Sequence, residues 1–82
     1  MQVTAKFMCP EVVGPVKGGA YEVPEGTDAA GLLAFARRAC GLPEEAGLAE
    51  QLLFLRNQGP AAGDTVLEEG DTVLFLRRIY GG

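Results

Sequence analysis

The chain has 82 residues, 48% of them hydrophobic and 22% charged, with a net charge of −4. A chain of this length makes one small folded domain that buries about 60–65% of its unfolded surface, which leaves little room for an enclosed active site. The acidic balance disfavours nucleic acid and anionic membranes as partners and suits a basic surface on another protein.

No apolar run approaches the roughly 18 residues of a membrane span, and no basic region followed by an apolar one opens the sequence, so a cytoplasmic location is expected. Cys9 and Cys40 lie far apart and outside any metal-ligand spacing, and the chain has no histidine. No metal site is expected. In a reducing compartment the two cysteines read as small free thiols, buried or half-buried.

Gln2 to Met8 alternates, with Val3, Ala5 and Phe7 on one side and Gln2, Thr4 and Lys6 on the other, which is the period of a half-buried strand. From Cys9 to Gly19 the residues Pro10, Gly14, Pro15, Gly18 and Gly19 punctuate a loop, open either to partner contacts or to simple disorder. A second strand, Ala20 to Pro24, then pairs back as an antiparallel hairpin, with Tyr21 and Val23 on its core side.

Thr27 or Asp28 is suited to cap a helix. Ala29, Leu32, Leu33, Ala36 and Cys40 recur at helical spacing as its packing stripe, and Arg37 and Arg38 lie off that stripe. Gly41 supplies a left-handed stop and Pro43 blocks continuation. Glu44 to Glu50 reads as a short helical turn or connector.

Gln51 to Arg56 forms the third strand, apolar on both faces through Leu52, Leu53, Phe54 and Leu55. Asn57–Gln58–Gly59–Pro60 breaks it, and Ala61 to Gly63 looks like a flexible insert. A short strand or turn follows at Thr65 to Leu67, with Leu67 as a plug under the loop, and then an acidic corner from Glu68 to Asp71. Val73 to Leu76 is an unbroken apolar run that reads as a buried final strand.

Gly81 and Gly82 follow that strand almost directly. Two residues without Cβ atoms are costly to order and are expected to project as a flexible tail. Such a tail can thread a channel too narrow for other residues and deliver a carboxylate to another protein. That carboxylate is ionised at neutral pH and a poor electrophile until it is activated, for instance by ATP as an acyl-adenylate.

Strand, Gly-containing loop, Leu67, Gly70–Asp71, strand and Gly-Gly together, over about Leu52 to Gly82, resemble the ubiquitin-like sulfur carriers of the thiamine-thiazole and molybdopterin-synthase small-subunit type. The resemblance and the order of elements imply an α+β, β-grasp domain over residues 1–80, a mixed sheet wrapped on one main helix, with 81–82 as the tail. In that fold the last strand lies beside the first and parallel to it. One helix covers one sheet face only, so either Leu52 and Phe54 with Leu74 and Leu76, or the opposite set, is left partly exposed as an interaction surface.

The resemblance further implies that an adenylating enzyme of the ubiquitin-activating type uses ATP to adenylate Gly82. A sulfur donor then forms a C-terminal thiocarboxylate. This delivers sulfur to a synthase of the molybdopterin large-subunit type, with Gly81 giving steric clearance. Tyr80, Arg77, Arg78, Phe54, Leu74 and Leu76 are the candidate partner contacts. The chain is then a cosubstrate with no bound cofactor, not an enzyme. Bulky Tyr80 and basic Arg77–Arg78 depart from the usual residues before the glycines, so a thiamine, cysteine or methionine pathway stays open. A protein modifier that conjugates through Gly82, and a plain binding module, are the readings of other classes.

Overall fold

The computed structural model describes residues 1–79. Five strands make one mixed sheet in the order β2-β1-β5-β3-β4. These are β1 (Gln2–Phe7), β2 (Gly19–Glu22), β3 (Leu52–Arg56), β4 (Gly59–Ala61) and β5 (Thr72–Arg77), and they are joined by helices α1 (Pro10–Val13) and α2 (Ala29–Ala39). β1 and β5 run parallel at the centre, with Ala5 opposite Val73 and Phe7 opposite Phe75, while the other pairings are antiparallel. This is the expected β-grasp arrangement.

The core lies between the sheet and α2. Val3, Ala5, Leu52, Val73 and Phe75 from the strands meet Ala29, Leu32, Leu33 and Ala36 from the helix, all buried. Phe75 is its centre: fully buried, stacked on Phe7 at 4.6 Å between ring centroids and edge-on to Phe54 at 5.5 Å. Burying one such ring contributes about 2–3 kcal/mol. Leu67, 2% exposed, plugs the end of the core as its loop position predicts, and its N–H donates to the Thr27 carbonyl at 2.9 Å.

The ends of α2 follow its sequence signals. The Asp28 carboxylate accepts the Gly31 N–H at 2.7 Å as the N-cap. At the other end Gly41 takes φ +75°, its N–H donates to Arg38 O at 3.0 Å, and Leu42 N–H donates to Arg37 O at 2.9 Å. This paired closure needs a left-handed residue at its turn, where a side chain is strained.

Four expectations need correction. The Cys9–Gly19 segment is not plain loop, because Pro10 pre-sets the backbone for the helical turn α1, which drives Val13 fully into the core. Cys9, ahead of that turn, is also fully buried, and its Sγ lies 3.6 Å from the Phe75 carbonyl as donor. Cys40 is exposed and not part of the packing stripe. Its place is taken by Arg37, only 8% exposed, whose guanidinium donates to the Val13 carbonyl and to the Pro43 carbonyl, the latter at 2.9 Å. A buried arginine is tolerated there because its donors meet carbonyls that would otherwise lack partners.

The fourth concerns Gly59 to Ala61, a paired edge strand where a break and a flexible insert are expected. Asn57 and Gln58 have φ of +50° and +71° and form a two-residue hairpin turn, and Pro60 fits because β4 is an edge strand. The acidic connector is helical only at its end, in a 3-10 turn over Ala49–Gln51.

Candidate functional site

The register of β3 on β5 decides which leucines face out. Leu53 lies opposite Leu76 and Leu55 opposite Leu74, whereas Phe54 lies opposite Phe75. Since successive side chains alternate across the pleat, Leu53, Leu55, Leu74 and Leu76 share the face away from α2. Leu53 is 44% exposed and the other three are half-buried. Leu74 and Leu76 therefore sit where partner contact predicts them. Phe54 does not: it and Leu52 are in the core, at 5% and 0% exposed, so neither expected set occurs, and Leu53 and Leu55 join Leu74 and Leu76 on the open face.

Two more residues join this face. Lys6 pairs in register with Leu74, and Met8, 63% exposed, continues β1 by donating its N–H to the Phe75 carbonyl at 3.0 Å. A shallow depression of about 540 Å³ is framed by Lys6, Leu55 and Leu74 and rimmed by Asn57 and Gln58 of the β3–β4 turn. Contiguous leucines with a polar rim are the composition of a docking surface.

At the far end of β5 the backbone is held for one residue past the strand. Arg78 N–H donates to the Gln51 carbonyl at 2.9 Å, and its guanidinium reaches the Leu52 carbonyl at 3.4 Å. Ile79 is 88% exposed. Arg77 and Arg78, both exposed, line a groove of about 640 Å³ with Val12 and Gln51. Arg77, opposite Leu52 in the register, falls in the alternation set of Val73 and Phe75, so this groove lies on the α1 side of the strand end and is separate from the open leucine face. Tyr80, Gly81 and Gly82, the remaining candidates, lie outside the described residues.

Alternation separates Leu53 and Leu55 from Leu52 and Phe54, but in a strand apolar on both faces it does not say which pair is outward. Met8 gives no signal, because a lone methionine after a strand reads as a loop residue. Among the described residues no three His, Cys, Asp or Glu side chains converge as metal ligands. Burial, and then the nearby Glu11 charge, push the Cys9 thiol above its ordinary range, so it is a poor nucleophile.

No family model matches the sequence, and no curated protein does. Solved structures do. The putative molybdopterin converting factor subunit 1 from Pyrococcus furiosus superposes with a TM-score of 0.66 at 18% identity, covering 96% of this chain and 99% of that one. The small archaeal modifier protein 1 of Haloferax volcanii gives 0.65 at 20% identity, over 95% of this chain and 98% of that one. A chain from the complex of molybdopterin-converting factor subunits 1 and 2 of Helicobacter pylori gives 0.51 at 23% identity, over the full length of both.

At these identities the likeness shows the fold: the chain is a ubiquitin-like β-grasp domain. Two of these structures are named for molybdopterin converting factor and one for a small archaeal modifier protein.

Proposed function

We propose that this chain is a sulfur carrier, a cytoplasmic cosubstrate that presents Gly82 to two successive partners. One observation carries the reading. The central strand β5 supplies two leucines of the open face, Leu74 and Leu76, and Ile79, three residues past Leu76, is exposed. A partner docked on the leucines is positioned to receive the tail.

In the first encounter an adenylating enzyme binds the face. The Gly82 carboxylate attacks the α-phosphorus of ATP, releasing pyrophosphate and leaving an acyl-adenylate. A donor persulfide then displaces AMP to give an acyl disulfide, and a second thiol attacks the donor's sulfur and breaks the S–S bond, leaving the thiocarboxylate and a donor oxidised to a disulfide. In the second encounter the tail enters a synthase, where that sulfur attacks the activated substrate. The subunit 1–subunit 2 complex named for the Helicobacter pylori protein supports a partner of the large-subunit type, and with it a molybdopterin-type pathway. The chain supplies a reactive group and no acid–base machinery, having no histidine at all.

The test is mass spectrometry of the tryptic peptide Ile79–Gly82 after incubation with ATP, a sulfur source and the host's adenylating enzyme. Neither Met1 nor Met8 is in that peptide, so methionine oxidation cannot imitate the exchange of oxygen for sulfur. The same spectrum reads whether Gly82 carries a free carboxylate. A shift reversed by hydrolysis is expected. No shift, with the enzyme active on a known carrier, refutes the pairing.

The likeness to a small archaeal modifier protein supports a second reading, in which the activated Gly82 forms an amide with a lysine of a target. Higher-mass conjugates in the native host, lost when Gly81 and Gly82 are removed, mark that outcome.

A further inference from the structure

Behind the sheet, on the side of α2 that faces away from the leucines, runs a second groove that neither partner encounter uses. It has a volume of about 500 Å³ and lies between α2 and the 42–50 segment. Its floor is apolar: Ala30 and Ala34 from the helix, Leu42 just past its closing turn, and Leu48. Gly47, with φ +78°, turns the segment so that Leu48, 4% exposed, folds back into the protein.

The rim is anionic. Glu44 and Glu45 are both exposed on it. Glu50 lines the groove too, and of the two arginines in the lining only Arg38 is exposed, so acidic side chains outnumber basic ones at its surface. Arg37 is committed to the carbonyls of Val13 and Pro43, and Arg38 lies over the Phe35 ring at 5.8 Å. An apolar trough with acidic edges is complementary to one kind of ligand.

We propose that this groove docks a partner-protein segment in which an apolar side chain is flanked by lysine or arginine. The apolar side chain lies against Ala30, Ala34 and Leu48, and the flanking cations meet Glu44 and Glu45. Because the groove and the leucine face lie on opposite layers of the fold, both can be occupied at once. A protein bound here can accompany the carrier while the tail is in use. The inference does not rest on sulfur chemistry, and it stands whether or not Gly82 is ever adenylated.

The experiment is an amide-resolved NMR titration of the full chain with two peptides, acetyl-Arg-Lys-Leu-Phe-Lys-Arg-amide and acetyl-Glu-Glu-Leu-Phe-Glu-Glu-amide. The basic peptide is expected to shift the amides of Ala30, Ala34, Leu42 and Leu48 saturably, less so at high salt, and the acidic one to leave them unmoved. Ala34→Arg, an exposed position whose folding the same spectrum reports, abolishes the shifts. The double variant Glu44→Gln, Glu45→Gln weakens binding about three- to tenfold.

Equal response to both peptides overturns the proposal, as do shifts centred on Leu53, Leu74 and Leu76. Groove amides that move with protein concentration alone also overturn it, because they put a second copy of the chain there through its own Arg77–Arg78–Ile79.

Discussion

Asn57 and Asp71 tie the β3–β4 turn to the start of β5. The Asn57 side-chain amide donates to one Asp71 oxygen at 2.9 Å, and the other oxygen accepts the Glu68 N–H at 2.8 Å. Asn57 Oδ1 also accepts the Thr72 N–H at 2.9 Å, and Asn57 N–H donates to Thr72 O at 2.8 Å. Asp71 is 6% exposed, so removing its carboxylate strands partners inside the corner. Asp71→Ala is expected to cost about 2–3 kcal/mol, read as a lower urea midpoint at unchanged m-value. If Asp71→Ala matches an exposed-site control such as Glu25→Ala, the corner does not hold the fold.

The open face separates function from stability. Leu76→Glu adds a charge where solvent already reaches, and is expected to leave the melting temperature within a few degrees while cutting charging by the adenylating enzyme at least about tenfold. Phe54→Ala does the reverse, costing about 3–5 kcal/mol through the cavity under Phe75. Paired melting curves and single-turnover charging assays check both. A Leu76→Glu variant that charges normally removes this face from the encounter.

Arg37 gives a third test. Arg37→Met keeps the bulk but leaves the Val13 and Pro43 carbonyls without their donor, at a cost of about 2–3 kcal/mol. Arg37→Lys recovers part of this, since one ammonium replaces a fork. Urea titration of both variants gives the order wild type, lysine, methionine. A methionine variant as stable as wild type shows that the buried guanidinium is dispensable.

The thiols differ in reactivity and in pH response. Iodoacetamide on the folded protein is expected to alkylate Cys40 and spare Cys9, which is buried and held in its neutral form. Tyr21 is also pushed up, first by burial and then by the neighbouring Cys40 thiol. For both groups the fold favours the protonated form. Their contribution is therefore complete below the unfolded-state pKa values and is lost as pH rises from there through the folded values. Peptide mapping reads the first effect, and urea midpoints across alkaline pH read the second. Midpoints that climb on the alkaline side contradict the sign.

Much of this was legible because local signals agreed. Alternation marked β1, the Asp28 cap and Gly41 stop bracketed α2, and β5 announced itself as an apolar run. The outward set of leucines was not legible, because β3 and β5 are apolar on both faces and a one-residue slip in register exchanges the faces. Phe54 was misplaced for that reason. α1 was missed because a four-residue helix has no period to detect; it exists through the burial of Val13. Arg37 was assigned outward on charge alone, although it follows Ala29 and Leu33 at four-residue steps.

β5 lies between β1, parallel to it, and β3, antiparallel to it, and the described chain continues past it to Ile79. A partner that grips the leucine face and draws that end away loads β5 along its own axis. Both flanking ladders are then sheared together, and their bonds share the force instead of parting one by one. Gln2 and Glu22, in contrast, sit opposite each other in the β1–β2 hairpin, and a pull between them unzips it from one end. Optical-tweezer handles at Gln2 and Ile79 should therefore rupture at higher force than handles at Gln2 and Glu22, and equal forces would discard the idea. The strand that carries Leu74 and Leu76 is then also a mechanical anchor, so the domain can be hauled through β5 without being unravelled.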